Sequence, residues 1–252
     1  MSGSLNVNYE KNRYDKKGIS TNLIGKIKDF NWQFSTGLNS NKGSEEKKIK
    51  SVFLDQNPSQ ILNQNYFTLK SNETAFIRTN FDYKFDEYET IGFKYNFNTI
   101  QNKPYTTGSI FSENLNSNIL STTLNNSTEK NTQNEFTSYY KQKMDDDGSL
   151  LTITGNLSLY KKDNFTRLQQ NNNSSPVENF SIFKNNLSIN NHYVKVDVFI
   201  PESFTAFDLY TGAKIAFSKV ISEGLYNLNN VDSDIINNNT FNNEIIFNYN
   251  ER

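Results

Sequence analysis

Cysteine is absent from the 252 residues, so neither a disulfide framework nor a thiolate metal site is available. A single histidine, His192, excludes histidine-based metal clusters. No apolar run approaches the roughly 18 residues that a membrane-spanning helix needs, and no helix of useful length stands out. Charge of one sign is also lacking. With 26 basic against 27 acidic residues, nothing argues for nucleic acid as a partner. Hydrophobic residues reach only 35%, mean hydropathy is −0.73, and asparagine is far above ordinary usage. Composition alone leans toward disorder. Against that stand 20 Phe and 14 Tyr, far more than a disordered polar chain carries.

The aromatic residues fall at alternate positions. In Thr74 to Thr99, Ile77, Thr79, Phe81, Tyr83 and Phe85 share one side of a strand, and Arg78, Asn80, Asp82 and Lys84 share the other. After Asp86-Glu87-Tyr88-Glu89 the pattern resumes with Ile91, Phe93, Tyr95 and Phe97 against Gly92, Lys94, Asn96 and Asn98. Side chains alternate between the faces of a strand, so this hairpin has one apolar and one polar side. The same alternation predicts strands at Ser4 to Glu10, Gly18 to Lys26, Phe30 to Leu38, Asn134 to Lys143, Leu151 to Leu159, Ser188 to Ile200, Asp208 to Phe217 and Asn242 to Asn250. That makes about ten strands, most of them near the length of a tilted strand crossing a bilayer.

The predicted links have an order. Short turns at 27–29, 86–89, 144–148 and 200–205 alternate with long polar stretches at 39–73, 100–133, 161–186 and 218–240, read as loops. Transmembrane barrels combine short turns at one end with longer loops at the other, and their polar lumen makes them hydrophilic on average. The expected fold class is therefore all-β, an antiparallel up-and-down transmembrane β-barrel segment with short periplasmic turns and long extracellular loops. A soluble all-β binding module is the alternative for such hairpins. The opening MSGSLNVNYEK has no apolar stretch of the kind a secretory signal carries, so an envelope protein of this type is expected to have one upstream in a longer chain.

The opening SGSLNVNYEKN resembles the segment that leaves the plug and enters the barrel of TonB-dependent outer-membrane receptors, with Ser2 and Gly3 in place of a glycine pair. FIRTNFDYKFDEYETIGFKYNFN, KMDDDGSLLTITGNLSLY, YVKVDVFIP, LYTGAKIAF and FNYNER resemble hairpin motifs of the outer-membrane β-barrel family common in Bacteroidetes. Asn80 stands where that family usually has glycine, and Val198 where it often has tyrosine. The resemblance covers essentially the whole chain. It implies that residues 1–252 are one outer-membrane β-barrel domain, the N-terminal part of a larger barrel of roughly 22 strands. A plug domain and C-terminal strands are expected outside it. The implied role is solute uptake at the bacterial cell outer membrane, in contact with lipid, coupled to the TonB system through the plug, with a surface lipoprotein as a further partner. A non-transport barrel with a structural, assembly or adhesive role is the competing reading.

Candidate residues follow from the two faces. Arg78, Asp82, Lys84, Lys94, Asp197, Asp208 and Lys214 are expected to face the lumen, where they contact the plug or line the solute path. Trp32, Phe34, Phe81, Tyr83, Phe85, Phe93, Tyr95, Phe97, Ile215 and Phe217 are expected to face lipid. Asp145, Asp147 and Gly148 faintly resemble a calcium loop, but Ser149-Leu150-Leu151 runs straight into a strand without the closing glutamate, which leaves a plain turn. No nucleophile or acid/base pair is recognisable around His192 or elsewhere. The expectation is a protein without catalytic, metal or cofactor sites.

Overall fold

The computed structural model describes residues 1–53, 60–114, 117–173, 175–202, 208–229 and 239–249. They form one antiparallel sheet of eleven strands: β1 (Ser2–Lys11), β2 (Asp15–Ile27), β3 (Phe30–Phe53), β4 (Gln60–Lys84), β5 (Glu89–Asn102), β6 (Tyr105–Asn114), β7 (Ser117–Lys143), β8 (Leu150–Asn172), β9 (Ser175–Ile200), β10 (Leu209–Asn229) and β11 (Asn239–Tyr249). No helix occurs among the described residues. Each strand pairs with its neighbours in sequence, except that β5 and β6 both lie between β4 and β7.

β5 and β6 are one strand interrupted at Pro104. Register is unbroken across the gap: Asn72 pairs with Asn102 and Leu69 with Tyr105 on one side, Asn102 with Glu129 and Tyr105 with Asn126 on the other. The Lys103 N–H donates to Ser71 O at 2.8 Å, and the Ser127 N–H donates to Pro104 O at 3.1 Å. Proline has no N–H to return, so the ladder misses one bond there. Counting the interrupted strand once, the sheet is a meander of ten strands, as the alternation predicts.

The polar stretches read as loops are the main correction. Positions 39–53 pair residue by residue with 60–74, and positions 105–114 pair with 117–126. The β8–β9 and β9–β10 ladders likewise run on through Gln170 and Asn229. These segments are strand extensions. Their few apolar residues fall on both faces, as adjacent Tyr66 and Phe67 do, so they lack the one-sided contrast that reveals a strand, while the ladder bonds themselves are made by backbone of any sequence. β7, with 27 residues, is about 90 Å long at 3.3–3.4 Å per residue. Residues 54–59, 115–116 and 230–238, which belong to the predicted loops, lie outside the described residues.

Paired residues project from the same face, so register arranges side chains in rows across the sheet. One row reads Trp32, Phe81, Phe93, Ser138, Gly155, Val194, Ile215. The next reads Phe34, Thr79, Tyr95, Phe136, Leu157, His192, Phe217. The apolar rows begin near Leu151 and Val198 and end near Ile19, Leu38 and Ala75. Along β8 this is the eight-residue step from Leu151 to Leu159, which is about 27 Å of strand and about 20 Å of height at a 40–45° tilt.

Among the described residues nothing covers this face. No hydrophobic side chain is buried among the described residues, and Phe81, Phe93, Phe136, Leu157 and Phe217 are all exposed. The surface is 17269 Å², against roughly 11,400 Å² for a compact globule of 29.1 kDa. The described residues form a single layer, with no second layer packed on it.

Candidate functional site

The opposite face is polar, and register brings most of the predicted lumen residues together near the end with the short turns. One row holds Lys26, Asn31, Asp82, Gly92, Tyr139, Thr154, Lys195 and Lys214. Lys84, Lys141 and Asp197 stand in the row on the turn side, and Asn80, Lys94 and Asn156 in the row on the other side. Arg78 lies one row further, beside Ser35 and Asn96.

Two clusters form. In the first, the Tyr139 hydroxyl donates to Asp82 Oδ1, and the ring lies over Gly92, where any Cβ would run into it. Lys94 and Lys141 bring their ammonium groups to 5.4 and 5.2 Å from the Tyr139 ring, within cation–π range. Asn80 Nδ2 reaches toward Asp82 Oδ2 at 3.5 Å, while Asn80 Oδ1 is buried without a hydrogen-bond partner. A depression of about 280 Å³ opens here, lined by Gln33, Ser35, Arg78, Asn80, Lys94 and Asn96. Arg78 leans on Phe76 at 5.2 Å. In the second cluster, Lys195 pairs with Asp197 at 2.9 Å and Lys214 sits 4.4 Å from the Tyr193 ring centroid. Between the clusters, Asn156 donates to Glu135 Oε1 at 3.1 Å and Thr137 Oγ1 at 2.8 Å.

The arrangement supplies cationic and amide donors plus a few carboxylate and amide acceptors on a rigid ladder. It suits reversible contact with polar or anionic groups. Among the described residues, no group of three or more His, Asp or Glu side chains is placed to hold a metal.

Two candidates sit elsewhere than expected. Asp208 lies just before β10, where its Oδ1 accepts the Glu202 N–H at 2.9 Å, and it stands outside the paired rows. Phe85 lies just past the end of β4, its N–H bonded to Glu89 O at 3.0 Å and its ring edge-on to Tyr83 at 5.0 Å. The other predicted apolar residues share the apolar face. His192 joins them, stacked on Phe217 at 5.1 Å. Tyr139, Lys141, Glu135, Asn156 and Lys195 escape sequence reading as site residues, because only cross-strand register shows which residues of distant strands share a row.

At the turn end, Asp145 Oδ1 accepts the Ser149 N–H at 2.9 Å, and the hydrogen bonds from Ser149 hold its carboxyl below the usual range. Tyr88 donates to Asp146 Oδ1 at 2.7 Å, which pushes its phenol up. At the far end, the side-chain bond from Lys70 and its charge hold Glu45 down.

No family model and no curated protein matches the chain. Among solved structures, the siderophore receptor PiuA from Acinetobacter baumannii is similar over 97% of this chain and 45% of its own, at 10% identity and a TM-score of 0.32. The RagAB peptide transporter is similar over 93% of this chain and 36% of its own, at 8% identity and a TM-score of 0.27. OccK10 (OpdN) from Pseudomonas aeruginosa covers 100% and 99%, at 8% identity and a TM-score of 0.14. This chain thus spans less than half the length of PiuA and of RagAB. At such TM-scores these likenesses decide neither fold nor function, and the assignment of this chain as a one-layer, antiparallel, up-and-down all-β sheet rests on its own strand ladders.

Proposed function

We propose that this chain is a wall segment of a bacterial outer-membrane β-barrel of the TonB-dependent receptor type, serving solute uptake. One observation carries the reading: an apolar band about 20 Å tall on one face of a sheet with no buried hydrophobic side chain among the described residues, close to the roughly 25 Å lipid-facing band of membrane barrels. In water that band would leave Phe81, Phe93, Leu157 and Phe217 in solvent. In a bilayer they face acyl chains, and the ladder satisfies the backbone. The polar face then lines the lumen, with Arg78, Asp82, Lys84, Lys94, Asp197 and Lys214 along the solute path or against a plug domain. The proposed role involves no chemical step at this chain. Coupling to the TonB system belongs to a plug outside this chain, and a surface lipoprotein would meet the extended hairpins.

The test is fractionation of cells that make the natural protein. The reading expects a carbonate-resistant outer-membrane band with heat-dependent gel mobility and loss of solute uptake on gene deletion. Recovery in the soluble fraction would overturn it.

The length of the strands favours a second reading. β7 and β9, with 27 and 26 residues, stand well beyond the apolar band and offer a large Asn-rich surface suited to adhesion or assembly. A membrane-embedded protein whose deletion spares uptake but abolishes surface attachment would decide for that reading.

A further inference from the structure

We propose that a groove on the apolar face, at the border of the band on the side of the long hairpins, is the seat of an anionic, phosphate-bearing lipid. The groove has a volume of about 700 Å³. It runs across the strands between two adjacent rows. Val7, Ile19, Leu38 and Ala75 form its band-side wall. Lys17, Ser40, Glu73 and Lys130 belong to the other wall. The lining reaches from β1 to β7, six strands, which is about 24 Å at 4.8 Å per strand.

Each wall asks for a different part of one molecule. Val7 and Leu38 are 70% and 59% exposed, more open than the 37–43% of Ile77, Phe81 and Phe136 lower in the band. Apolar surface that open needs an acyl chain against it. On the other wall, Glu73 is already met by Lys103 at 3.7 Å, so the acid is compensated. Lys130 stands opposite Asp163, which Lys161 already pairs at 3.3 Å, and among the described residues neither Lys17 nor Lys130 makes an ion pair, so the two lysines leave a net positive rim. A phosphate-bearing headgroup over acyl chains matches both walls where the apolar rows end. A free anion matches only the rim, and a zwitterionic lipid brings its own cation to it. This inference rests on the reading of the band as lipid-facing.

The experiment uses the natural protein carrying this chain, purified in mild detergent. Its affinities for phosphatidylglycerol, phosphatidylcholine and inorganic phosphate are read by native mass spectrometry or tryptophan quenching. Wild type should bind phosphatidylglycerol in preference to the other two. The K17E/K130E variant, which removes two positive charges and adds two negative ones, should lose well over the roughly twenty-five-fold that removal of two lysines costs, each lysine near an anionic lipid surface being worth roughly fivefold. K17Q/K130Q, with a gentler charge change, should lose less in the same direction and serves if the reversal impairs folding. K48E/K50E, far out on β3, should leave the affinity unchanged. Equal affinity of wild type and K17Q/K130Q, equal binding of phosphatidylcholine, or equally tight binding of inorganic phosphate would overturn the proposal. Failure of the membrane reading shows separately, as wild-type protein that is soluble without detergent.

Discussion

The phenol of Tyr139 lies across Gly92 and donates its hydrogen bond to Asp82, so one residue from each of three neighbouring strands makes a single unit. Gly92 has to be glycine for the ring to lie there. Gly92→Ala is expected to lift the ring, break the bond to Asp82 and destabilise the protein by about 1–3 kcal/mol, in the range of overpacking changes. Tyr139→Phe keeps the ring in place and removes only the bond, at about 1 kcal/mol. Because both act on one unit, the double variant should lose less than the sum of the two. Urea midpoints of refolding into lipid check this, and strict additivity would show the residues to be uncoupled.

The apolar band makes a depth-dependent prediction. Leu157 lies near its middle and Leu69 lies three rows above its border, on the same face. Leu157→Arg should cost about 2–4 kcal/mol of folding into a bilayer, and Leu69→Arg about 0–1 kcal/mol. Equal costs at the two sites would contradict a bilayer around the band.

Asp145 ties the 144–149 turn through the Ser149 N–H, and its carboxyl is held below the usual aspartate value of 3.8 by its hydrogen bonds from Ser149. A lowered folded-state value means that its stabilising effect is complete above the ordinary value and is lost as pH falls below it. Hydrogen exchange of the Ser149 amide should therefore accelerate as the pH drops through the range below 3.8, beyond the intrinsic trend. Asp145→Asn should remove that pH dependence.

Lys28 has φ of 50° in the tight turn between β2 and β3. A side chain in the left-handed region costs about 1–2 kcal/mol, which glycine avoids in part at the expense of a more flexible unfolded chain. Lys28→Gly is expected to raise the unfolding midpoint, by about 0.5–1 kcal/mol in stability terms. A lowered midpoint would mean that the lysine makes a contact worth more than the strain.

The sequence made the lower half of the sheet legible and left the upper half obscure, for one physical reason. From Phe30 to Leu38, or Leu151 to Leu159, one face is apolar and the other polar, so the period of two is visible in the residues. Above Ser40 and Tyr160 both faces mix Asn, Ser, Thr and Lys with scattered apolar residues such as Tyr66, Phe67 and Phe165, and the same pairing leaves no period of two. The hydrogen-bonded ladder from Lys42 to Phe53 against Gln60 to Ser71 shows how far backbone pairing runs without such contrast. The site was half visible. Arg78, Asp82, Lys84 and Lys94 could be assigned to one face because they lie in one hairpin. Tyr139 and Lys195 belong to strands whose register no local pattern reveals. Asp208 lies one residue before β10, where a polar residue at a strand end and a residue just outside the strand look alike in sequence.

Pro104 interrupts the hydrogen bonds without interrupting the count. The phase of side chains set at Phe93 and Tyr95 is carried unchanged into Tyr105 and Phe111. The two halves of this strand are therefore locked to a common ruler, and parity governs what the break can absorb. Removing both Lys103 and Pro104 would return β6 to the ladder with every side chain on its original side, shifted by one row. Removing Pro104 alone would turn the whole upper segment over, sending Ile110 to where Phe111 now points. The proline is thus a joint that can change spacing only in steps of two, and insertions or deletions near it should survive selection in even numbers.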